Sequence, residues 1–216
     1  TQILGQLVQE NKLIKIGSTK MAAYATEAYL ENYPEISGHY HRKFKTKGIE
    51  EHKILDDIVH RFSPYKKLPE NIKSIFDYAF LEMLNNALEH SQSGIVDVTV
   101  GLDNKTLMFV VDDLGIGVYR NIMKKRELHD ELEAIQDLLK GKVTTAPKLH
   151  SGEGIFFTSK VGDEFILDSF GYQYIANNKI DDVFVGKVRG HKKGTKVTFR
   201  IDLSDKHHLN DIFKRY

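Results

Sequence analysis

The apolar positions of this chain change period several times, and each change predicts an element. The opening "TQILGQLVQENKLIKIGSTKMAAYA" predicts a short helix, a strand at Leu13–Ile16, a Gly-Ser turn and a second strand around Met21–Tyr24. "HYHRKFKTKG" alternates, with His41, Lys43, Lys45 and Lys47 on one side and Arg42, Phe44 and Thr46 on the other. This predicts an edge strand whose lysines discourage mispairing; a phosphate-contacting stripe is the alternative. From Ile49 the pattern is helical through Phe62, "SPYKKLPEN" breaks it, and a long helix is predicted over Pro69–Ser91. "IVDVTVGLDNKTLMFVVDD" reads as two alternating strands around Asp103-Asn104. Residues 115–151 are charged and partly helical, and "SGEGIFFTSKVG" is a Gly-rich turn opening a short helix. The strands "DEFILDS", "YQYIANN", "DDVFVGKV" and "GTKVTFRID" follow, and "SDKHHLNDIFKRY" ends as a helix. Helices in one block and strands in another predict an α+β fold. The expected form is a two-layer sandwich, a mixed, mostly antiparallel sheet covered by helices on one face. Two units are expected: residues 1–48, a helix and hairpin like the back half of a winged helix, and residues 49–216.

Composition narrows the classes. The chain has 216 residues, 41% hydrophobic and 28% charged, which suits a globular protein with a sizeable core. A formal net charge of +1 selects neither nucleic acid nor membrane as a partner. Without cysteine there is no disulfide framework, thiolate metal site or thiol catalysis, and a reducing, cytoplasmic setting is expected. No apolar run is long enough to span a membrane and no signal peptide is visible. The chain starts at Thr1, and an excised fragment is expected.

Candidate chemistry begins in "FLEMLNNALEH", Phe80–His90. At about 100° per residue, with Glu82 at zero, Asn86 falls near ~40°, His90 near ~80°, Glu89 near ~340° and Asn85 near ~300°. Phe76, Phe80, Met83, Leu84, Ala87 and Leu88 fill the opposite arc. A solvated stripe accounts for this amphipathic pattern. Asparagine, however, is a mediocre helix former, and Glu82 and Asn86 lie one turn apart, where a carboxylate and an amide oxygen could hold water or a hydrated cation.

Three glycine turns follow. "DDLGIG" places Asp113, Gly115 and Gly117 at a strand's end, where a carboxylate can accept from an exocyclic amine and glycines admit a planar ring. "HSGEGIFF" puts Gly152 and Gly154 before a helical run, whose first N–H groups can meet an anion. "KKGTKVTFRI" begins the last strand at Gly194-Thr195. Each alone is an ordinary connector. In this order, from roughly Pro69 to Ile201, they resemble the ATP-binding (Bergerat) fold of gyrase-type topoisomerases, heat-shock chaperones, bacterial histidine kinases and mismatch-repair ATPases, the GHKL superfamily.

The resemblance implies ATP and Mg²⁺ as ligands. Glu82 would be the general base that orients water or a hydroxyl, and Asn86 would ligate Mg²⁺. Asp113 would take the adenine amine with Thr195 supporting it through water, and Gly115 and Gly117 would pack under the base. Residues 118–151 would form a mobile lid, with Gly152 and Gly154 closing on the phosphates. Asn85, Glu89 and His90 would line the pocket's edge, and Lys142 and Lys148 are the lid cations favoured for phosphate contact. "NNALEHS" and the short "SGEGIFF" look nearest to anti-sigma-factor-type serine kinases. The helix-hairpin start and "HLNDIFKRY" resemble bacterial regulators that carry such an ATPase between a helix-turn-helix module and a STAS-like domain. The phosphate turn has two glycines only, and His52 and His60 precede basic residues, unlike a phosphoacceptor box of sensor kinases.

Neither "HYH" nor "HH" has a metal-ligand spacing, and "GKVTT" lacks the upstream glycine and Lys-Ser/Thr end of a P-loop. Two functions remain in view. One is Mg-ATP binding with hydrolysis or phosphoryl transfer to a partner's Ser/Thr. The other is a non-catalytic ATP-gated switch controlling DNA or partner binding. A regulatory protein partner, DNA through a complete winged helix, and a homodimer are the associations expected; a membrane is not.

Overall fold

The computed structural model describes residues 2–10, 12–16, 23–26, 28–29, 38–140, 151–188, 190 and 192–216. Helix α1 (Gln2–Gln9) leads to an antiparallel pair, β1 (Ile14–Ile16) and β2 (Ala23–Ala25), with Ile14 opposite Ala25. Seven further strands form one sheet: β3 (His39–Lys45), β4 (Ile95–Asp103), β5 (Thr106–Asp113), β6 (Glu164–Ser169), β7 (Tyr172–Asn177), β8 (Asp182–Lys187) and β9 (Thr195–Asp202). Their order is β3-β4-β5-β9-β6-β7-β8, and each neighbouring pair is antiparallel. The fold is thus α+β, and the sheet is antiparallel rather than mixed. The hairpins supply antiparallel neighbours directly, and the last strand enters between β5 and β6 in the same sense.

The strand β3 is an edge strand, but of this main sheet. Its full length pairs with β4, from His39 opposite Gly101 to Lys45 opposite Ile95. Residues 39–45, expected in the first unit, thus join the main sheet through the ladder of β4. The Asp57 carboxylate of α2 (Glu51–Arg61) ties this strand down, accepting from Tyr40 Oη at 2.7 Å, Arg42 at 2.8 Å and Arg61 Nε at 2.8 Å. Burial alone would raise Asp57, but these three donors hold it below the ordinary carboxylate value.

One sheet face carries the core. Val96, Val98 and Val100 of β4, Leu107, Phe109 and Val111 of β5, and Val197, Phe199 and Ile201 of β9 are buried at alternate positions. Against them lies α3 (Glu70–Asn85), which buries Ile72, Ile75, Phe76, Ala79, Phe80, Met83 and Leu84. Phe109 stacks on Phe199 at 5.0 Å and meets Phe76 and Phe80 edge-on at 5.7 and 5.5 Å. These rings fix the height of α3 above the sheet. Helices α4 (Val118–Arg126), α5 (Glu131–Leu139), α6 (Ser151–Val161) and α7 (Leu209–Arg215) complete the layer. Asp130 caps α5 by accepting from Glu133 N at 2.8 Å. Phe213 of α7 sits edge-on to Tyr78 of α3 and Phe157 of α6, at 5.0 and 5.1 Å. No described helix is long and apolar enough to cross a membrane.

Candidate nucleotide site

The predicted helix over Pro69–Ser91 is α-helical only through Asn85; residues Asn86–His90 form a single wider π-helical turn. Such turns insert one residue into the helical ladder and recur at functional sites. The wider turn keeps Met83 and Ala87 buried while Asn86 and His90 line a cavity. The 3.6-residue wheel does not survive it. Glu89 is exposed, and neither it nor Asn85 lines the cavity, contrary to the expectation for both. Asn86 Nδ2 is buried with no hydrogen-bond partner among the described residues. An orphaned buried amide is costly, and a half-turn about the side chain would present Oδ1 there instead.

Asp113 ends β5 and is only 3% exposed. Its Oδ1 accepts from Gly115 N at 2.7 Å and Thr195 N at 3.3 Å, which leaves Oδ2 for the cavity. Burial raises its pKa, against the two N–H groups and the Lys192 ammonium, which favour the charge. Lys192 Nζ donates to the Asp113 carbonyl at 2.7 Å and pairs with Asp112 at 2.7 Å. The β5–β9 register brings these groups together, setting Asp112 opposite Lys196 at the strand ends. Thr195 Oγ1 accepts from Val118 N at 2.9 Å and so holds the start of α4 against β9.

The glycines do different things. A methyl at Gly115 would overlap the Ser91 carbonyl, which accepts from Ile116 N at 2.8 Å; Gly115 lets the turn close on the residue after the π turn and does not line the cavity. Gly117 lines it, has φ +83°, and packs under the Phe170 ring and Ser169 hydroxyl. Gly194, φ +82°, lies against Asp113 and allows β9 to approach the carboxylate. Gly152 and Gly154 fall within the first turn of α6 rather than before it, where N–H groups lack helical partners. A Cβ on Gly154 would overlap Glu82 Oε2, so the predicted base abuts the predicted phosphate turn.

The cavity is narrow, about 40 Å³ in volume, and opens to solvent. Met83, Val111, Ile122, Ile155, Leu167 and Val197 give it apolar walls, and Asn86, His90, Ser91, Asp113, Asn121 and Thr195 are its polar groups. This is the usual make-up of a small-molecule site: apolar faces with a few fixed donors and acceptors. Burial, then the nearby Lys125 charge, lowers the His90 pKa. Among the described residues no cluster of three acidic or histidine side chains could hold a metal.

Asn86, Asp113, Gly117 and Thr195 thus meet around one cavity, Glu82 and Gly154 meet beside it, and Gly115 stands behind it. Lys142 and Lys148 lie outside the described residues. Within the stretch 118–151 expected as a lid, residues 118–139 pack on the core: Tyr119, Ile122, Ala134, Ile135 and Leu138 are buried, and Tyr119 Oη donates to the Leu167 carbonyl at 2.8 Å. Apolar spacing inside a charged segment could have signalled this anchoring. Ser91, Asn121 and Lys192 were missed as site residues; only Lys192, two residues before Gly194, had a local cue in the turn motif. No family model matches this chain, and no curated protein matches it in sequence.

Proposed function

We propose that this chain is a Mg-ATP-binding regulatory domain with the Bergerat ATP-binding architecture, acting by ATP hydrolysis or phosphoryl transfer to a partner protein's Ser/Thr. The observation that carries the reading is the one cavity that joins Asp113 and Thr195 to Asn86, one helical turn from Glu82. Asp113 Oδ2 accepts from the exocyclic amine of adenine, and the Val111, Val197, Met83 and Ile122 side chains enclose the ring. Gly117 lets the turn approach it without a Cβ. Asn86 faces the phosphates, and the first turn of α6 offers N–H groups to them.

Asn86 would hold Mg²⁺ through its side-chain oxygen, and the ion would supply neutralisation of phosphate charge. The donor set fits this role. Among the described residues there is no acidic cluster, and Asn86, once its amide is turned to present Oδ1, suits a cation that arrives with its nucleotide. Glu82 orients and deprotonates the attacking water or hydroxyl.

Calorimetric titration with ATP, ADP and GTP, with and without Mg²⁺, tests the reading. ATP and ADP bind and GTP does not; absence of binding by all three ends the proposal. Glu82→Ala retains Mg-ATP and loses slow turnover. A second reading, the ATP-gated switch, is favoured by helix α1 followed by the β1–β2 hairpin, the order of the back half of a winged helix. Wild type that binds ATP and never turns it over, with or without candidate partners, selects the switch. A cytoplasmic DNA- or partner-binding regulator is the setting we propose for either reading.

A further inference from the structure

The two edges of the main sheet are built oppositely. At one edge β3 carries His39, His41, Arg42, Lys43 and Lys45, with Arg42 held by Asp57 and His41 by Asp97 at 2.5 Å. Such charges blunt an edge against other strands. At the other edge, no described strand pairs with the outer side of β8. There Val183, Phe184 and Val185 are 37%, 47% and 41% exposed, flanked by Ile180 at 62% and Val188 at 36%. Exposed apolar side chains in succession on an unpaired edge invite another strand.

We propose that the occupant is a second copy of this chain, joined by antiparallel pairing of β8 with β8 across a two-fold axis at Phe184. The outward hydrogen-bonding groups fit. Val188 N donates to Gly171 O at 2.9 Å, so the even-numbered residues turn toward β7 and Val183, Val185 and Lys187 present their N–H and C=O groups outward.

The strand complements itself in this register. Val183 faces Val185 of the second copy, and Val185 faces its Val183, in two hydrogen-bonded pairs. Phe184 faces its own counterpart at the closer, non-hydrogen-bonded spacing on the axis. Asp182 faces Gly186, whose lack of a side chain leaves room. Lys187 reaches the Asp181-Asp182 end of the second copy, and Ile180 lies toward Val188. No ion pair within the chain engages Asp181, Asp182 or Lys187 among the described residues. Moving the axis one residue either way sets apolar side chains opposite charged ones: Asp182 meets Phe184 about Val183, and Asp182 meets Val188 about Val185. An isologous contact of this kind closes as a dimer and covers the β8 edge of each copy. Two seven-stranded sheets become one continuous sheet. None of this depends on nucleotide binding.

The test is sedimentation velocity of the full chain over a concentration series, with thermal melting as a folding control. Wild type forms a dimer. Lys187→Glu, which places acid against acid twice per dimer, weakens it by about tenfold or more. The double variant D181K/D182K weakens it similarly, and an equimolar mixture of the two variants recovers association. Val185→Pro removes an outward N–H without breaking a bond to β7 and abolishes the dimer. A wild type that stays monomeric up to its solubility limit overturns the proposal. So does a dimer indifferent to Lys187→Glu and Val185→Pro, or a monomer whose β8 edge instead binds a foreign extended peptide.

Discussion

Asp113→Asn is nearly isosteric, yet under the proposed assignment of Asp113 to adenine it is a severe change. Oδ1 of Asp113 accepts from two backbone N–H groups, Gly115 and Thr195. A carboxamide must keep its oxygen there, so its NH₂ points into the cavity and meets the adenine amine donor to donor. The flipped amide would set NH₂ against the two backbone N–H groups. Losing a charge-assisted hydrogen bond removes about 1.5–3 kcal/mol, and an opposed buried donor adds roughly 1 kcal/mol or more. A total near ~3 kcal/mol weakens ATP binding on the order of 100-fold. The same NH₂ suits a carbonyl, so ITP should lose far less and overtake ATP. Stability moves the other way. Burial raises the Asp113 pKa, so its ionisation opposes folding as pH rises through that raised value, and the neutral amide removes the opposition. Calorimetric titration with ATP and ITP, beside thermal melts at pH 7, reads all three effects. ATP affinity within threefold of wild type, in a folded variant, would refute the assignment of Asp113 to the base.

Gly154→Ala puts a methyl where Glu82 Oε2 lies; the flexible carboxylate yields, so turnover is expected to fall about tenfold or more while nucleotide affinity changes little, measured by steady-state hydrolysis and titration. Gly117→Ala meets the Phe170 ring at φ +83° and should destabilise the fold by roughly 1–3 kcal/mol, read as a lower urea midpoint. Asp57 and Asp97 are held below 3.8 against their own burial, Asp57 by Tyr40, Arg42 and Arg61 and Asp97 by His41 and Lys43. The stability they contribute is present above about pH 4 and lost as pH falls through their lowered values, so Asp57→Asn should flatten the acid side of a melting-temperature profile between pH 2 and 6.

Most strands were legible because alternation is a local property. The Asp-x-Gly-x-Gly turn was legible for the same reason, since strand end and glycine are neighbours. What was hidden depended on distant partners. The π turn at Asn86–His90 leaves no mark in residue type, so a wheel of constant period could not show that Glu89 is exposed. Gly115 looked like a floor for a ring because its real neighbour, Ser91, belongs to another element. Membership of β3 in the main sheet depends on its ladder with β4, far along the chain, as His41 opposite Thr99 illustrates. The anchoring of residues 118–139 likewise rests on Tyr119 finding the Leu167 carbonyl.

The insertion of β9 between β5 and β6 has a thermodynamic corollary. The walls around Asp113 come from chain segments separated by more than a hundred positions, from Met83 to Val197, and no single hairpin can assemble them. A molecule held there is sensed only by the fully assembled chain, so its free energy of association adds to global rather than local opening. At a hundredfold excess over its dissociation constant that addition is about 2.7 kcal/mol. Amide exchange would then slow together across β5, β6 and β9, central strands whose protons leave only when the whole sheet comes apart.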